Sequence, residues 1–378
     1  MTNNALVIIF PSIFAQNKIN VLISNIKKIL SIQNQSFQKI RKDDSLIVVE
    51  ANDPVFASST INLLFGIKKV AIAKQIKNEY DVLVSSITKI GSNLLLKGDT
   101  FYVKVEGESK GYLPKDIEFA ATSSLIEKTS KLGAKPGTED KHDKLLYTYL
   151  TKLNAYVCIF TDKGNGGIPN NFQNEKIICC IYDELSSVSC LETIKAGFDV
   201  KIIVCYNKES DLLKFVKILN ALIPRMLKSK IELEFFKVDI TNSSSKKYLE
   251  LIETVTEIMI SVNSSNKVNR LSLALSPIIF PQSFIDKITK RISQNNIIPY
   301  MSLSGFDENV LNYAKELGLE KYLTRIEKLG KLKFNSVLKE KNNVKELAQK
   351  AIKTKRSVRI TVGPNNIHDI LDSLKSEH

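Results

Sequence analysis

Between Lys163 and Asn170 the chain reads Gly164-Asn165-Gly166-Gly167-Ile168-Pro169, three glycines and a proline within six residues. Glycine admits positive φ values that side chains resist, and proline fixes an extended exit. The stretch therefore predicts a sharp, defined turn and a junction between two units. The residues after this junction constrain the second unit. Ile177 to Ile181 is a short apolar run suited to a strand buried on both faces, and Tyr182 to Ser187 is a polar turn. Val188 to Ala196 reads as a helix stopped by Gly197, and Val200 to Cys205 as a second buried strand. Strand, turn, helix, strand is a βαβ unit, in which phosphates bind at the turn between the strand's carboxyl end and the helix N-terminus.

Before the glycines, Ala5 to Phe10 reads as a strand and Asn17 to Leu30 as an amphipathic helix. Phe37 to Ile40 and Leu46 to Glu50 are two more strands, Pro54 opens a helix to Leu64, and Ile67 to Ala73 closes the set. The order βαββαβ is that of a ferredoxin-like domain. A helix from Tyr80, a strand at Thr100 to Glu106, a helix at Pro114 to Leu132 and strands near Leu145 to Leu150 and Ala155 to Phe160 come next. After Cys205, helices at Leu212 to Leu222, Ser245 to Met259, Gln282 to Gln294 and Asp307 to Leu317 alternate with strands at Ile231 to Ile240, Leu271 to Leu275 and Pro299 to Leu303. That alternation implies a parallel doubly wound sheet.

The 54 Lys and Arg against 40 Asp and Glu leave a formal charge of +14, which predicts affinity for a polyanion such as nucleic acid; an AT-rich coding bias would raise lysine as well. No apolar run approaches a membrane span and the N-terminus lacks a charged n-region, so a cytoplasmic protein with no membrane partner is expected. Five cysteines show no C-x-x-C and three histidines are scattered, so no metal site is expected. Cys179, Cys180 and Cys205 fall in buried strands, where a reduced cysteine acts as a small hydrophobe.

The glycine stretch, with the strand and helix after it, resembles the linker of the tRNA 4-thiouridine synthetase (tRNA sulfurtransferase) family, whose members carry Gly-x-Gly-Gly-Leu-Pro between a THUMP domain and a PP-loop ATPase domain. Phe65-Gly66-Ile67, the segment Asp99 to Val105, Ala155 to Phe160 and Ile298 to Leu303 resemble further family positions. The resemblance implies an N-terminal ferredoxin-like plus THUMP α+β module followed by a doubly wound parallel-sheet PP-loop-like domain. It divides the chain into a ferredoxin-like domain at 1–76, a THUMP domain at 77–163, a linker at 164–174, an ATPase-like domain at 175–330 and a basic extension at 331–378. It also implies tRNA as the partner, and dimerisation is common in the family.

Several family positions differ here. The pyrophosphate loop reads Ser-Gly-Gly-x-Asp-Ser in the family, whereas this chain has Tyr182-Asp183-Glu184-Leu185-Ser186-Ser187. Such a loop needs small residues whose backbone N–H groups close on the oxygens. Asp183 and Glu184 instead set two negative charges where a triphosphate would sit, and like charges about 4 Å apart repel by roughly 1 kcal/mol even in water. Leu275 to Ser283 lacks the Glu and glycines of the segment that closes the family's nucleotide site, and no cysteine lies near Arg325 to Lys331, where the sulfur-handling thiol would fall. The opening strand lacks the family's Arg and Lys, and Glu106-Gly107-Glu108-Ser109-Lys110 is acidic where the family is basic.

These departures favour a catalytically degenerate tRNA-binding adaptor in tRNA modification, needing no cofactor and presenting tRNA to a separate modifying enzyme. The alternative is an active ATP-dependent tRNA sulfurtransferase with an altered nucleotide loop, which would need ATP and magnesium. RNA would be gripped through phosphates, shape and 2′-hydroxyls, with Lys104, Lys110, Lys115, Lys128, Lys131 and Lys135 as candidate contacts. Lys331 to Ile360 carries ten Lys or Arg against two Glu, a second candidate phosphate surface or else a solvated face.

Overall fold

Leu6–Pro11 (β1) is buried along its whole length, and strands pair on both of its edges. The computed structural model describes residues 5–109, 111–240, 244–266, 268–303, 308–322, 343–363 and 365–375. It divides into two units, residues 1–167 and 168–378.

In the first unit β1 is followed by α1 (Ile19–Ile32), β2 (Phe37–Asp43), β3 (Leu46–Ala51), α2 (Pro54–Ile61) and β4 (Ile67–Lys77), the expected βαββαβ order. Asp53 caps α2 by accepting from the N–H groups of Val55 and Phe56, with Pro54 in the first turn where its missing N–H does no harm. α3 (Tyr80–Leu94), β5 (Thr100–Gly107), α4 (Pro114–Lys128), β6 (Lys135–Pro136), β7 (Lys144–Leu150) and β8 (Asn154–Gly166) complete it. The described strands form one eight-stranded sheet in the order β2-β3-β1-β4-β8-β7-β5-β6.

The joint of that sheet is the antiparallel pair β4 and β8, matched from Ile67 with Gly166 to Lys77 with Asn154. This pairing carries β4 past the expected end at Ala73 into polar residues, where Gln75 donates to the Asn154 side chain at 2.8 Å. Leu83, Ile87, Phe101, Val103, Ile117, Leu125 and Val157 form the core beneath α3 and α4. A second core gathers Ile8, Phe10, Val48, Ala71, Tyr147, Tyr156 and Cys158 from five successive strands of the sheet, β3, β1, β4, β8 and β7. Phe10 on β1 meets the ring of Tyr149 on β7 edge-on at 5.1 Å.

The glycine stretch is not the sharp turn that its composition predicts. β8 runs on to Gly166, and only Gly166 and Gly167 take positive φ, at 62° and 73°. Gly164 serves a different need, because a Cβ there would lie 2.3 Å from the Ile67 carbonyl oxygen. The Gly66 N–H donates to Gly166 O, and the Ser12 hydroxyl to Gly167 O, at 2.6 and 2.8 Å.

The second unit contains β9 (Lys176–Ile181), α5 (Glu184–Lys195), β10 (Asp199–Tyr206), α6 (Glu209–Leu222), β11 (Lys230–Lys237), α7 (Ser245–Asn266), β12 (Arg270–Leu273), α8 (Gln282–Ser293), β13 (Ile298–Met301) and α9 (Glu308–Glu316). Beyond residues 323–342 lie α10 (Val344–Lys353), β14 (Arg356–Thr361) and α11 (Asn366–Lys375). The described strands order as β13-β12-β9-β10-β11-β14, parallel except for β14, which runs antiparallel to β11. Successive strands step to one side of β9 through β10 and β11, then to the other through β12 and β13. The carboxyl end of β9 is thus the switch point where doubly wound sheets bind ligands.

Candidate functional site

At that switch point the sequence predicts a polar loop from Tyr182 to Ser187, but the chain passes from strand to helix through Tyr182 and Asp183 alone. α5 starts at Glu184 rather than at Val188. The cause is a capping box. Asp183 Oδ1 accepts from the Ser186 N–H at 2.7 Å, while Ser186 Oγ accepts from the N–H groups of Tyr182 and Asp183, each at 2.9 Å. The Ser187 N–H goes to the Asp183 carbonyl at 3.2 Å. Four of the N–H groups around this corner are therefore satisfied within the chain.

The two carboxylates are enclosed as well, with Asp183 at 2% and Glu184 at 0% exposure. Burial, reinforced by the neighbouring Glu184 charge, raises the Asp183 carboxyl above the usual carboxylate range, against the pull of the bonds from Tyr248 and Ser186. Tyr248 on α7 donates to Asp183 Oδ2 at 2.7 Å, and Lys214 on α6 pairs with Glu184 at 3.0 Å. The segment after β12 closes the same corner with apolar packing, Phe280 stacking on Tyr248 at 6.1 Å. Beside it, Tyr182, Cys205, Tyr206, Lys208, Lys214 and Phe215 line a recess of about 170 Å³, smaller than the roughly 300–1,000 Å³ of usual small-molecule sites.

The candidate RNA lysines fall into two groups. Lys104 on β5 is held between Glu106, at 3.4 Å, and Glu139, and Lys115 in the first turn of α4 pairs with Glu118 at 2.7 Å. Burial alone would raise Glu106, but the Tyr147 hydroxyl at 2.7 Å and the charges of Lys104 and Lys69 hold it below the usual carboxylate range. The acidic segment thus neutralises the cations beside it. Lys128 and Lys131 are exposed at the carboxyl end of α4 and the turn after it, and Lys135 is exposed on β6. Lys110 lies outside the described residues.

Lys128 shares an open groove of about 400 Å³ between α3 and α4 with Tyr80, Ser85, Thr88, Lys89 and Ser124. Sequence reasoning misses Lys89, whose signal is its place one turn from Ser85 on the same helix face. In the basic C-terminal stretch, Lys350 pairs with Asp239, Lys355 with Glu234, Arg356 with Glu209 and Arg359 with Glu232. Much of its described charge is therefore answered inside the fold. Residues 331–342 of that stretch, and Arg325 to Lys331, lie outside the described residues.

All five cysteines are free and buried. Among the described residues no helix is long and apolar enough to cross a membrane.

No protein-family model matches the chain. It is 22% identical over 189 residues to a protein of Methanosarcina acetivorans named as a probable tRNA sulfurtransferase, covering 50% of this chain and 46% of that protein. A Methanosarcina mazei protein of the same name is 22% identical over 187 residues, 49% of this chain and 46% of its own length. The chain thus spans about half the length of the curated relatives it matches. A solved 4-thiouridine synthetase–RNA complex with bound ATP shares the fold with a TM-score of 0.63 at 12% identity, covering 94% of this chain and 99% of that one. The PH1313 protein of Pyrococcus horikoshii superposes with a TM-score of 0.61 at 17% identity, over 84% of this chain and all of the other. The architecture is the ferredoxin-like plus THUMP module followed by a doubly wound PP-loop-like domain. In sequence over half of its length, and in fold over nearly all of it, the chain is similar to the tRNA sulfurtransferases, the 4-thiouridine synthetases.

Proposed function

We propose that the protein binds tRNA and acts in the cytoplasm as a non-catalytic adaptor in tRNA modification, presenting its tRNA to a separate modifying enzyme without an ATP requirement of its own. The observation that carries this reading is the corner at Asp183. A nucleotide loop works by aiming free backbone N–H groups at phosphate oxygens. Here a side-chain carboxylate and a serine hydroxyl take those groups, and a second buried carboxylate follows at Glu184. Phosphate binding would require ejecting the cap and bringing more negative charge against Glu184.

For the RNA half, the support is the net charge of +14 and the THUMP-like module with its exposed Lys89 and Lys128. The solved relative in this fold was captured with RNA, which makes tRNA the partner to test first.

The test is binding of bulk tRNA to the purified protein across a salt series, with and without ATP and magnesium. Tight, steeply salt-dependent binding that ATP leaves unchanged is the expected result. Saturable ATP binding in the micromolar range would overturn the non-catalytic reading and favour an active sulfurtransferase. Failure to bind tRNA would overturn the adaptor itself.

A further inference from the structure

Cys180 on β9 and Cys205 on β10 stand on the same face of two adjacent parallel strands, where Cys180 is in register with Ile203. Their sulfurs are 3.4 Å apart, with the Cys180 thiol donating to Cys205. The pair is in the core, yet Cys205 also forms part of the wall of the 170 Å³ recess with Tyr182, Tyr206 and Lys214. A second thiol pair joins Cys179 to Cys190 on α5, on the opposite side of β9. Both Cys179 and Cys190 are buried. Two sulfurs of one chain in contact, one of them in a residue that lines a cavity, are placed to react with each other once a small oxidant enters.

We infer that Cys180 and Cys205 form a reversible dithiol–disulfide couple, a modification site oxidised by small hydroperoxides that enter the recess beside Tyr182. This rests on the thiol geometry alone and stands whether or not the protein binds tRNA. Cys205 is the residue of the pair that lines the recess. It takes the distal peroxide oxygen, the O–O bond breaks, and the alcohol or water leaves with a proton, giving a sulfenic acid at Cys205. Cys180 then displaces that oxygen as water, forming the S–S bond as the S–O bond breaks. Overall, two thiols and one hydroperoxide give one disulfide, one alcohol or water from the peroxide and one further water; the sulfurs lose two electrons to the O–O bond. A dithiol reductant reverses the change by exchange.

Ligand number argues against a structural zinc as the role of this pair. A closed zinc site needs four ligands, and no cluster of three or more His, Cys, Asp or Glu that could hold a metal occurs among the described residues. Burial raises the Cys180 thiol well above its ordinary value. The disulfide would tie β9 to β10 directly below Tyr182 and Asp183, stiffening the strand–helix–strand segment that carries the capped corner.

The experiment is peptide mass spectrometry of the full chain after exposure to hydrogen peroxide under native conditions, with free thiols then alkylated in denaturant. The expected product is a Cys180–Cys205 linked peptide pair, two hydrogens lighter than the reduced peptides and restored by dithiothreitol, with Cys158, Cys179 and Cys190 alkylated. Cys179→Ser should form the same product, and Cys205→Ser should not. A native protein whose Cys180 and Cys205 are both alkylated after peroxide that oxidises the denatured chain would overturn the proposal. So would disulfide at Cys179 and Cys190 instead. The oxidised wild-type protein should also melt at a higher temperature than the reduced one, a readout that needs no variant.

Discussion

Tyr248 and Asp183, 65 residues apart, meet in a buried hydrogen bond of 2.7 Å that anchors the cap of α5 to α7. The carboxylate accepts from Tyr248 on one oxygen and from the Ser186 N–H on the other. Replacing the tyrosine by phenylalanine leaves that oxygen buried with one bond fewer, at a cost of about 1–3 kcal/mol. Tyr248→Phe should therefore lower the urea midpoint of the second unit. Because the Tyr248 bond helps hold the Asp183 carboxyl down, its removal should also make stability fall more steeply as pH rises.

Asp183→Asn tests the buried charge itself. The folded-state value of Asp183 is raised by burial and then by Glu184, so the folded protein holds that proton more tightly than the unfolded chain. The group's contribution is then fully favourable below the unfolded carboxylate value and is lost as pH rises through the raised folded value. The variant should match wild type at the acid end and melt several degrees higher at pH 8. Scanning fluorimetry across pH reads this directly, and equal melting at pH 8 would mean that Asp183 is not buried as a charge.

The two kinds of glycine in the linker should respond differently to alanine. Gly164→Ala drives a Cβ against the Ile67 carbonyl and must spread β4 from β8, an overpacking cost of up to about 3 kcal/mol. Gly166→Ala meets no atom within 4 Å and suffers only from its positive φ, about 1 kcal/mol. Chemical denaturation of the two variants should rank Gly164→Ala as the less stable.

For RNA, the groove lysines should matter and the paired ones should not. Lys89→Glu with Lys128→Glu should weaken tRNA binding and flatten the salt dependence by about one unit of slope for each phosphate no longer neutralised. Lys104→Ala, already answered by Glu106 and Glu139, should leave the slope unchanged. Filter binding at several salt concentrations separates the two outcomes.

Most of the architecture is legible in the sequence because it rests on local patterns. Buried runs such as Ile177 to Ile181 and amphipathic helices such as α1 signal themselves by period, and their order then restricts the topology. The corner after β9 is easily misread because Asp183, Ser186 and Ser187 have turn chemistry, though Asp183 with Ser186 three residues later is equally a helix-start signal. The C-terminal charge is misjudged for another reason. The carboxylates that answer Lys350, Lys355, Arg356 and Arg359 lie more than a hundred residues away, which no local window can show.

The long pairing of β4 with β8 has one more consequence. Residues from both small modules share a single ladder, and a cut at residue 76 would pass through a strand and strip β8 of its neighbour. A fragment ending there would keep Ile67 to Ile76 as a bare edge prone to self-pairing. Residues 5–167 should therefore melt as one cooperative block, and the ferredoxin-like and THUMP-like modules should travel through evolution and through expression vectors together.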